Sequence, residues 1–469
     1  MIENVLYLFS EVSLLLGVLA LMLYKFFTTS VRSYFKITKI VVIISALFSV
    51  LFYNKAVFTD VFEANSYTVL FYILSALVMF AWLSLSVKWF VSEDVDPLYF
   101  CILSLLAMFS FSLIIKTINL GVLCGGLILL SFINYSLLKF SQQSEELHNV
   151  SKRYLVMALI FSVLLILSLV CLSIENWHYK ATAEFLGSEN INIAMFIVGA
   201  ILFFMLFLLG IAPLHFCFAD IVSPSILPVA AYFNLVPVFA LFAAFMKLNT
   251  IVFIPLASEL NLVYLFFGVF SLIVGAIGAN ASRNLRKIFA YSGIYNLGML
   301  LLLISPFTAS KLLGGFIYLQ VYILSLFGVY TSFYSFKSNG VYLANLNMIN
   351  GIAKVRPFVS AAMLFFMISL MGISPFSGFI GQLSALETFV ENQAYIIMFI
   401  SLVCLIIVMA AYLQIIRSMY FNNREVDFNR PDYGVYVYLL INMILMVMLM
   451  FKPEFLLYDA PVILNLVLK

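Results

Sequence analysis

The sequence predicts an all-α integral membrane protein of about fourteen transmembrane helices, with two inverted five-helix repeats and broken helices seven and twelve. Three observations carry this. Of the 469 residues, 65% are hydrophobic and only 10% charged, at a mean hydropathy of +1.15, whereas about a quarter of a soluble chain is charged. Apolar stretches of 18 residues or more recur from end to end, each able to cross a hydrocarbon core of about 30 Å as a helix. Two of them carry the same interruption, Gly210-Ile-Ala-Pro213 and Gly372-Ile-Ser-Pro375. A soluble enzyme and a nucleic-acid-binding domain are excluded, because too few polar side chains remain to cover a water-facing surface. A transmembrane β-barrel is excluded because its signal is a series of short alternating segments.

In chain order the predicted helices cover 5–26, 37–54, 67–87, 98–115, 118–138, 154–174, 192–212, 228–246, 260–279, 286–305, 312–335, 358–386, 394–416 and 434–451. The chain enters its first span (Leu6 to Phe26) with no basic n-region, no Ala-x-Ala-type cleavage site and no Arg-rich amphipathic presequence, so this helix is expected to be retained. Turn or charge clusters separate the spans at Ser92-Glu93-Asp94-Val95-Asp96-Pro97, Gln142 to Arg153 and Phe421 to Asp432. Helices four and five are joined by only a few residues at Lys116-Thr117. The organisation expected is helices one to four (1–115), a first repeat (116–250), a second repeat (251–420), and a C-terminal loop with the last helix (421–469).

The positive charges test this count, since Lys and Arg gather on the side from which helices insert. Fourteen spans place both termini on one face, with Lys55, Lys116, Lys180, Lys247, Lys311, Lys452 and Lys469; the other 17 of the 24 Lys and Arg fall opposite. Both termini should then face away from the cytoplasm or matrix. The two Gly/Pro breaks lie five helices apart, which makes them antiparallel across the membrane, the mark of an inverted repeat with broken helices near the working site. A Pro can also simply kink a packed membrane helix. The net charge of +3 suggests no polyanionic partner. Cys101, Cys124, Cys171, Cys217 and Cys404 lie in or at the ends of apolar segments with no metal-ligand spacing, so they read as small apolar fillers.

Three stretches carry a resemblance. Pro213-Leu-His215-Phe-Cys-Phe-Ala-Asp220, followed by Pro228-Val229, resembles the signature after the first broken helix of antiporter-like membrane subunits. Asn284-Leu-Arg286-Lys287-Ile-Phe-Ala-Tyr291-Ser292, running on to Asn296 and Gly298, resembles a second motif of those subunits. Gly372-Ile-Ser-Pro-Phe-Ser-Gly378-Phe-Ile-Gly381-Gln382, with Ala411-Tyr412-Leu and Met419-Tyr420-Phe421, resembles their second broken helix and the helix after it. With its fourteen spans, the chain is similar to subunit 2 (bacterial subunit N) of respiratory complex I, the proton-pumping NADH:ubiquinone oxidoreductase, most clearly over 190–420. The resemblance implies a core membrane-arm subunit with no redox chemistry or cofactor of its own; FMN, iron–sulfur clusters and ubiquinone belong to the rest of the complex. It implies other membrane-arm subunits, including antiporter-like paralogues, and membrane lipids as partners, and no nucleic acid. The 49 Phe, 26 Tyr and 20 Met, with few charges, match an AT-biased organelle genome. A mitochondrial inner-membrane protein with both termini in the intermembrane space is therefore expected, the alternative being a bacterial plasma membrane.

Members of that family carry a central row of buried ionisable groups, which desolvation and a neighbouring charge can switch. In this chain the matching positions are Gly126 for a fifth-helix Glu, Leu208 and Val238 for seventh- and eighth-helix Lys, Asn296 for a tenth-helix His and Gln382 for a twelfth-helix Lys. Between Glu11 on the first helix and Glu387 at the end of the twelfth, no ionisable group lies near the middle of a predicted span. A tyrosine, with an ordinary pKa of about 10, does not supply the switching charge. The chain is therefore expected to keep the architecture and to have lost its own proton relay, serving to hold its neighbours. Rearranged charges at Glu387, Glu391, Arg286 and Lys287 offer a shifted path as the competing reading. His215 reads as a relay or as a partner for carbonyls freed at the break, and Arg286 and Lys287 as a proton route or as anchors at lipid headgroups. Glu11 has two open readings, pairing with a partner subunit or reaching the headgroups. A cation/proton antiporter-type transporter subunit of the same fold is the alternative function.

Overall fold

In the computed structural model the described residues are 8–27, 30–51, 61–63, 65–141, 144–174, 191–251, 253, 256–305, 309–338, 341–422, 433–454 and 462. Each of the fourteen predicted helices is present: α1 (Phe9–Tyr24), α2 (Val31–Leu51), α3 (Ser66–Glu93), α4 (Leu98–Lys116), α5 (Leu120–Phe140), α6 (Glu145–Ile174), α7a (Ile191–Leu209) with α7b (Phe218–Val222), α8a (Leu227–Leu235) with α8b (Val238–Ile251), α9 (Ala257–Ala281), α10 (Leu285–Ile304), α11 (Ala309–Phe333), α12a (Pro357–Leu370) with α12b (Ser377–Glu391), α13 (Tyr395–Phe421) and α14 (Tyr433–Phe451). Twelve spans are long and apolar enough to cross a membrane, and α1 and α12a are shorter apolar helices. The chain is a multi-pass membrane protein. Lys55, Lys180, Arg424, Arg430 and Lys469, most of the predicted 421–432 loop and the first residues of predicted helix one lie outside the described residues.

Six elements differ from the sequence reading: α2 starts at Val31 instead of 37, α12b and α13 end at Glu391 and Phe421 instead of 386 and 416, and three more differ as follows. Helix α6 begins at Glu145 instead of 154, so most of the charged Gln142–Arg153 stretch is helical. Ser144 Oγ accepts the Leu147 amide at 3.2 Å, and Glu145 and Glu146 lie in the first turn, where the helix dipole favours acids. Leu147, Val150 and Tyr154 are buried, an apolar stripe hidden among charges. Predicted helix eight is broken as well: Pro237 offers no N–H to continue the ladder, and the chain forms α8a and α8b. Helix α3 runs on to Glu93 and stops where Asp94 turns left-handed, at φ 52°.

The chain divides into two compact units, one of Met1–Leu209 with Pro224–Ala257 and one of Gly210–Ser223 with Ser258–Lys469. In the first unit α8 is innermost, buried along its apolar length. Helix α8a packs on α3, while α8b packs on both α3 and α4. Trp82 on α3 donates its indole N–H to the Pro228 carbonyl at 2.8 Å, and Tyr67 donates its hydroxyl to the Ala243 carbonyl at 2.7 Å. Both donors find their partners within the protein, where lipid would offer none. In the second unit α10 is almost wholly buried, and α11 packs along α12a and α12b. Helix α14 is tied to α11 by Asn442 Nδ2, which donates to the Leu324 carbonyl at 2.9 Å.

Both interruptions use the same local geometry. Gly210 and Gly372 have φ of 70° and 68°, and each is followed by a cis X–Pro bond, at Pro213 and at Pro375. A β-carbon at either glycine would meet a side chain already packed there, Phe218 at Gly210 and Gln382 at Gly372. The backbone groups freed by the breaks are satisfied by serines. The Ala212 amide donates to Ser271 Oγ at 2.9 Å, and the Gly378 amide to Ser369 Oγ at 3.0 Å. Gly378 sits against the Ser369 carbonyl so closely that a β-carbon would collide with backbone. Gly378→Ala is therefore expected to cost roughly 1–3 kcal/mol of stability, read as a lowered melting temperature of the purified complex; an unchanged melting point would remove this contact from the account.

Candidate functional site

The second unit holds a buried hydrogen-bonded chain at the positions where the resemblance places charge. Asn284 caps α10, its Oδ1 accepting the Arg286 and Lys287 amides at 3.0 and 3.3 Å. This start sets the register that places Ser292 and Asn296, four residues apart, on one inward face. Asn296 Nδ2 donates to the Ser292 carbonyl at 2.7 Å, and its Oδ1 accepts the Tyr318 hydroxyl from α11 at 2.7 Å. Gln382 on α12b donates its amide to the same tyrosine oxygen at 3.1 Å. Beyond Asn296, the hydroxyls of Ser292 and of Tyr412 on α13 are hydrogen-bonded. Four helices are thus joined by Gln382, Tyr318, Asn296, Ser292 and Tyr412, all buried and all uncharged in their ordinary states.

A cavity of about 10 Å³ adjoins this chain, with Asn296, Tyr318, Tyr322, Ser325, Ser369 and Gln382 among its walls, room for about one water. Ser325 Oγ donates to the Val321 carbonyl at 2.8 Å and lies 3.0 Å from Ser369 Oγ. The Ser369 hydroxyl therefore gives its proton to Ser325 while accepting the Gly378 amide. The Tyr322 hydroxyl is buried with no hydrogen-bond partner among the described residues.

In the first unit the matching positions are dry. Leu208 and Val238 are buried apolar side chains. At Gly126 an added β-carbon would lie 3.0 Å from Ile114 Cγ1 and 3.2 Å from Leu113 Cβ, so α4 fills the space a side chain would need. The remaining candidates do not gather into a path. His215 is half-buried in the turn Leu214–Cys217, its ring 5.6 Å from that of Phe216. Lys287 forms a 2.9 Å ion pair with Asp220, both side chains about a third or more exposed, which joins the first and second signature motifs. Arg286 is half-buried, whereas Glu387 and Glu391 are exposed on α12b. The four buried cysteines and half-buried Cys171 are free thiols, and among the described residues no group of three or more potential ligands could hold a metal.

Sequence reasoning missed two features. It assigned Glu11 to a partner subunit or to headgroups, and Lys116 and Lys247 to loops on one face. Instead Lys116 is buried and its Nζ lies 2.8 Å from Glu11 Oε1, while Lys247 is buried too and donates to the Thr117 carbonyl at 2.8 Å. Both lysines stand near the ends of apolar runs, and so read as boundaries. Tyr318, Tyr322 and Ser325 were also passed over, although their helical spacing in an apolar segment marks a polar stripe. Tyr318→Phe strands the Asn296 and Gln382 amides together, and is expected to cost roughly 0.5–2 kcal/mol. Adding Gln382→Leu should cost less than the sum of the two single changes, and additive melting shifts would show that the chain is not one network.

The family model described as NADH:quinone oxidoreductase/Mrp antiporter, TM matches residues 120–408. Among curated relatives, subunit N of the NADH-quinone oxidoreductase of Parvibaculum lavamentivorans is 24% identical over 87% of this chain and 84% of its own. Its counterpart from Bartonella bacilliformis is 25% identical over 89% and 88%. Among solved structures, a chain of respiratory complex I from Thermus thermophilus superposes with a TM-score of 0.77 at 19% identity, over 96% of this chain and 98% of that one. A chain of the Mrp complex from Dietzia sp. gives 0.83 at 16% identity, over 100% and 98%. The fold is common to these assemblies, and the family match spans more than half of the sequence. The chain belongs to the NADH:quinone oxidoreductase/Mrp antiporter transmembrane family.

Proposed function

We propose that this chain is a core membrane-arm subunit, of the subunit N or subunit 2 type, of a proton-translocating NADH:quinone oxidoreductase, and that its own proton relay is degenerate. The observation that carries the second half is the neutral Gln382–Tyr318–Asn296 chain, together with apolar Leu208, Val238 and Gly126. A relay station must exist in two charge states of similar free energy, which a buried lysine or carboxylate can do when a neighbour's charge changes. An amide has no such second state. The names of the relatives support the assignment to the oxidoreductase.

On this reading the chain performs no redox step and holds no cofactor; flavin, iron–sulfur clusters and ubiquinone belong to other subunits. Its broad apolar faces hold neighbouring membrane-arm subunits and lipid. Composition supports the mitochondrial inner membrane, and the uneven split of Lys and Arg between the two faces supports both termini in the intermembrane space. The antiporter-type alternative needs buried carboxylates or lysines at the broken helices, and Gln382 occupies one such place. Copurification with flavin- and iron–sulfur-bearing subunits separates the two functions.

The intact complex in sealed liposomes is expected to translocate fewer protons per electron than one whose charge row is complete, by about one proton per two electrons. An equal ratio would overturn the degenerate-relay reading. Replacing Glu387, Glu391, Arg286 and Lys287 together should leave the ratio unchanged, whereas a fall by a full channel's share would show a rerouted path. Gln382→Lys alone should also leave it unchanged, because Tyr318 and Asn296 beside it supply no changing charge to switch the new ammonium.

A further inference from the structure

The first unit contains four charged side chains that the row of relay positions does not use. They gather at the short turn between α4 and α5. Lys116, the last residue of α4, is enclosed: its Nζ donates to Glu11 Oε1 at 2.8 Å and to Ser10 Oγ at 2.7 Å, and lies 4.3 Å from the centre of the Tyr72 ring. Ser10 in turn donates to Glu11 Oε2 at 2.7 Å. Carboxylate, hydroxyl and ring together complete the surroundings of this ammonium.

Lys247 is placed differently. It is 6% exposed, and Nζ donates to the Thr117 carbonyl at 2.8 Å. The carboxylate facing it, Glu63 Oε2, is 3.9 Å away on a side chain 41% exposed, beyond hydrogen-bond reach. Glu63 is held there by backbone. Phe62 forms an antiparallel bridge with Thr117, the Glu63 amide donates to the Lys116 carbonyl at 2.9 Å, and the Ile118 amide donates to the Val61 carbonyl at 2.9 Å. Asn65 Nδ2 also reaches Glu63 Oε2, at 3.3 Å. From Val238 to Met246 every residue of α8b is buried and apolar. Toward the interior Lys247 therefore meets only apolar side chains of its own helix, while the part-exposed Glu63 carboxylate stands between it and the surface.

We propose that Lys247 and Glu63 form a one-ended proton-exchange site, open to the aqueous phase at the α4–α5 turn and closed toward the interior. Rotation of the part-exposed Glu63 side chain closes the 3.9 Å gap; an N–H bond of the Lys247 ammonium then breaks as its proton forms an O–H bond on the Glu63 carboxylate, and water takes that proton, leaving a neutral amine and a restored carboxylate. The return runs through the same atoms. The neighbouring charged and titratable groups are the fixed Lys116–Glu11 pair, with Tyr72 and Tyr67 on α3, whose hydroxyls are engaged with Ser45 and with the Ala243 carbonyl. The site carries nothing across the membrane. It lets one charge in this chain follow the pH of one face, independently of whether the central row conducts.

The test is a proton-release measurement on the purified complex after a jump from pH 6 to pH 9. Lys247→Arg keeps the positive charge and the hydrogen bonds but does not give up its proton in this range. It should release about one proton fewer per complex than the parent. An unchanged amplitude would overturn the proposal and leave Lys247 as a fixed cation on the Thr117 carbonyl. Glu63→Gln, at a part-exposed loop position, should keep the amplitude and slow the release by about tenfold or more, and an unchanged rate overturns the route through Glu63. Should Lys247→Arg fail to assemble, the rate in Glu63→Gln decides alone.

Discussion

In hydrocarbon every backbone N–H and C=O must find its partner within the protein, and the architecture follows from meeting that demand where helices are interrupted. An unbroken helix meets it internally, which is why long apolar runs are enough for most of this chain. At Gly210–Pro213 and Gly372–Pro375 the ladder stops, and side chains take over: Ser271 for the Ala212 amide and Ser369 for that of Gly378. Ser271 is held by its own helix, Oγ 2.7 Å from the Phe267 carbonyl, and Ser369 by Ser325 of α11, 3.0 Å away. Breaks of this kind open a polar interior without admitting lipid, and the neutral chain from Gln382 to Tyr412 occupies that interior in the second unit.

Replacing charge by amide separates two properties that a buried lysine combines. A lysine ties helices together and also stores a switchable charge. Asn296 and Gln382 keep the first, as directional hydrogen bonds to one shared hydroxyl, and cannot perform the second. Packing, capping and helix order persist because they rest on apolar surface and satisfied backbone, not on the row. Loss of a relay is therefore compatible with an intact family fold, and fold similarity says nothing about the relay's state.

Much of this was legible before any coordinates. Periodicity is unnecessary when a span is apolar all round, so α2 to α5 and α9 to α11 could be placed from length and hydropathy. The start of α6 was not, because Leu147, Val150 and Tyr154 are buried at helical spacing within charged sequence. Asn296 and Gln382 were found through motif position, while their partners Tyr318 and Tyr412 belong to other helices and only the tertiary packing brings them in. Lys116 and Lys247 show the deeper limit. Their burial depends on the segment around Phe62 bridging to Thr117, a contact between residues more than fifty positions apart, which no local pattern announces.

The closeness of α4 to Gly126 has a historical implication. Where a carboxylate would stand, Ile114 and Leu113 now lie within 3.0 and 3.2 Å of the place a β-carbon would occupy. Placing an acid there therefore requires Ile114 and Leu113 to give way, not merely a change of codon. Packing that settles around a missing side chain resists its return, and so acts as a ratchet on descent. On the proposed reading, a lineage that has closed this gap leaves the proton work of its enzyme to the neighbours.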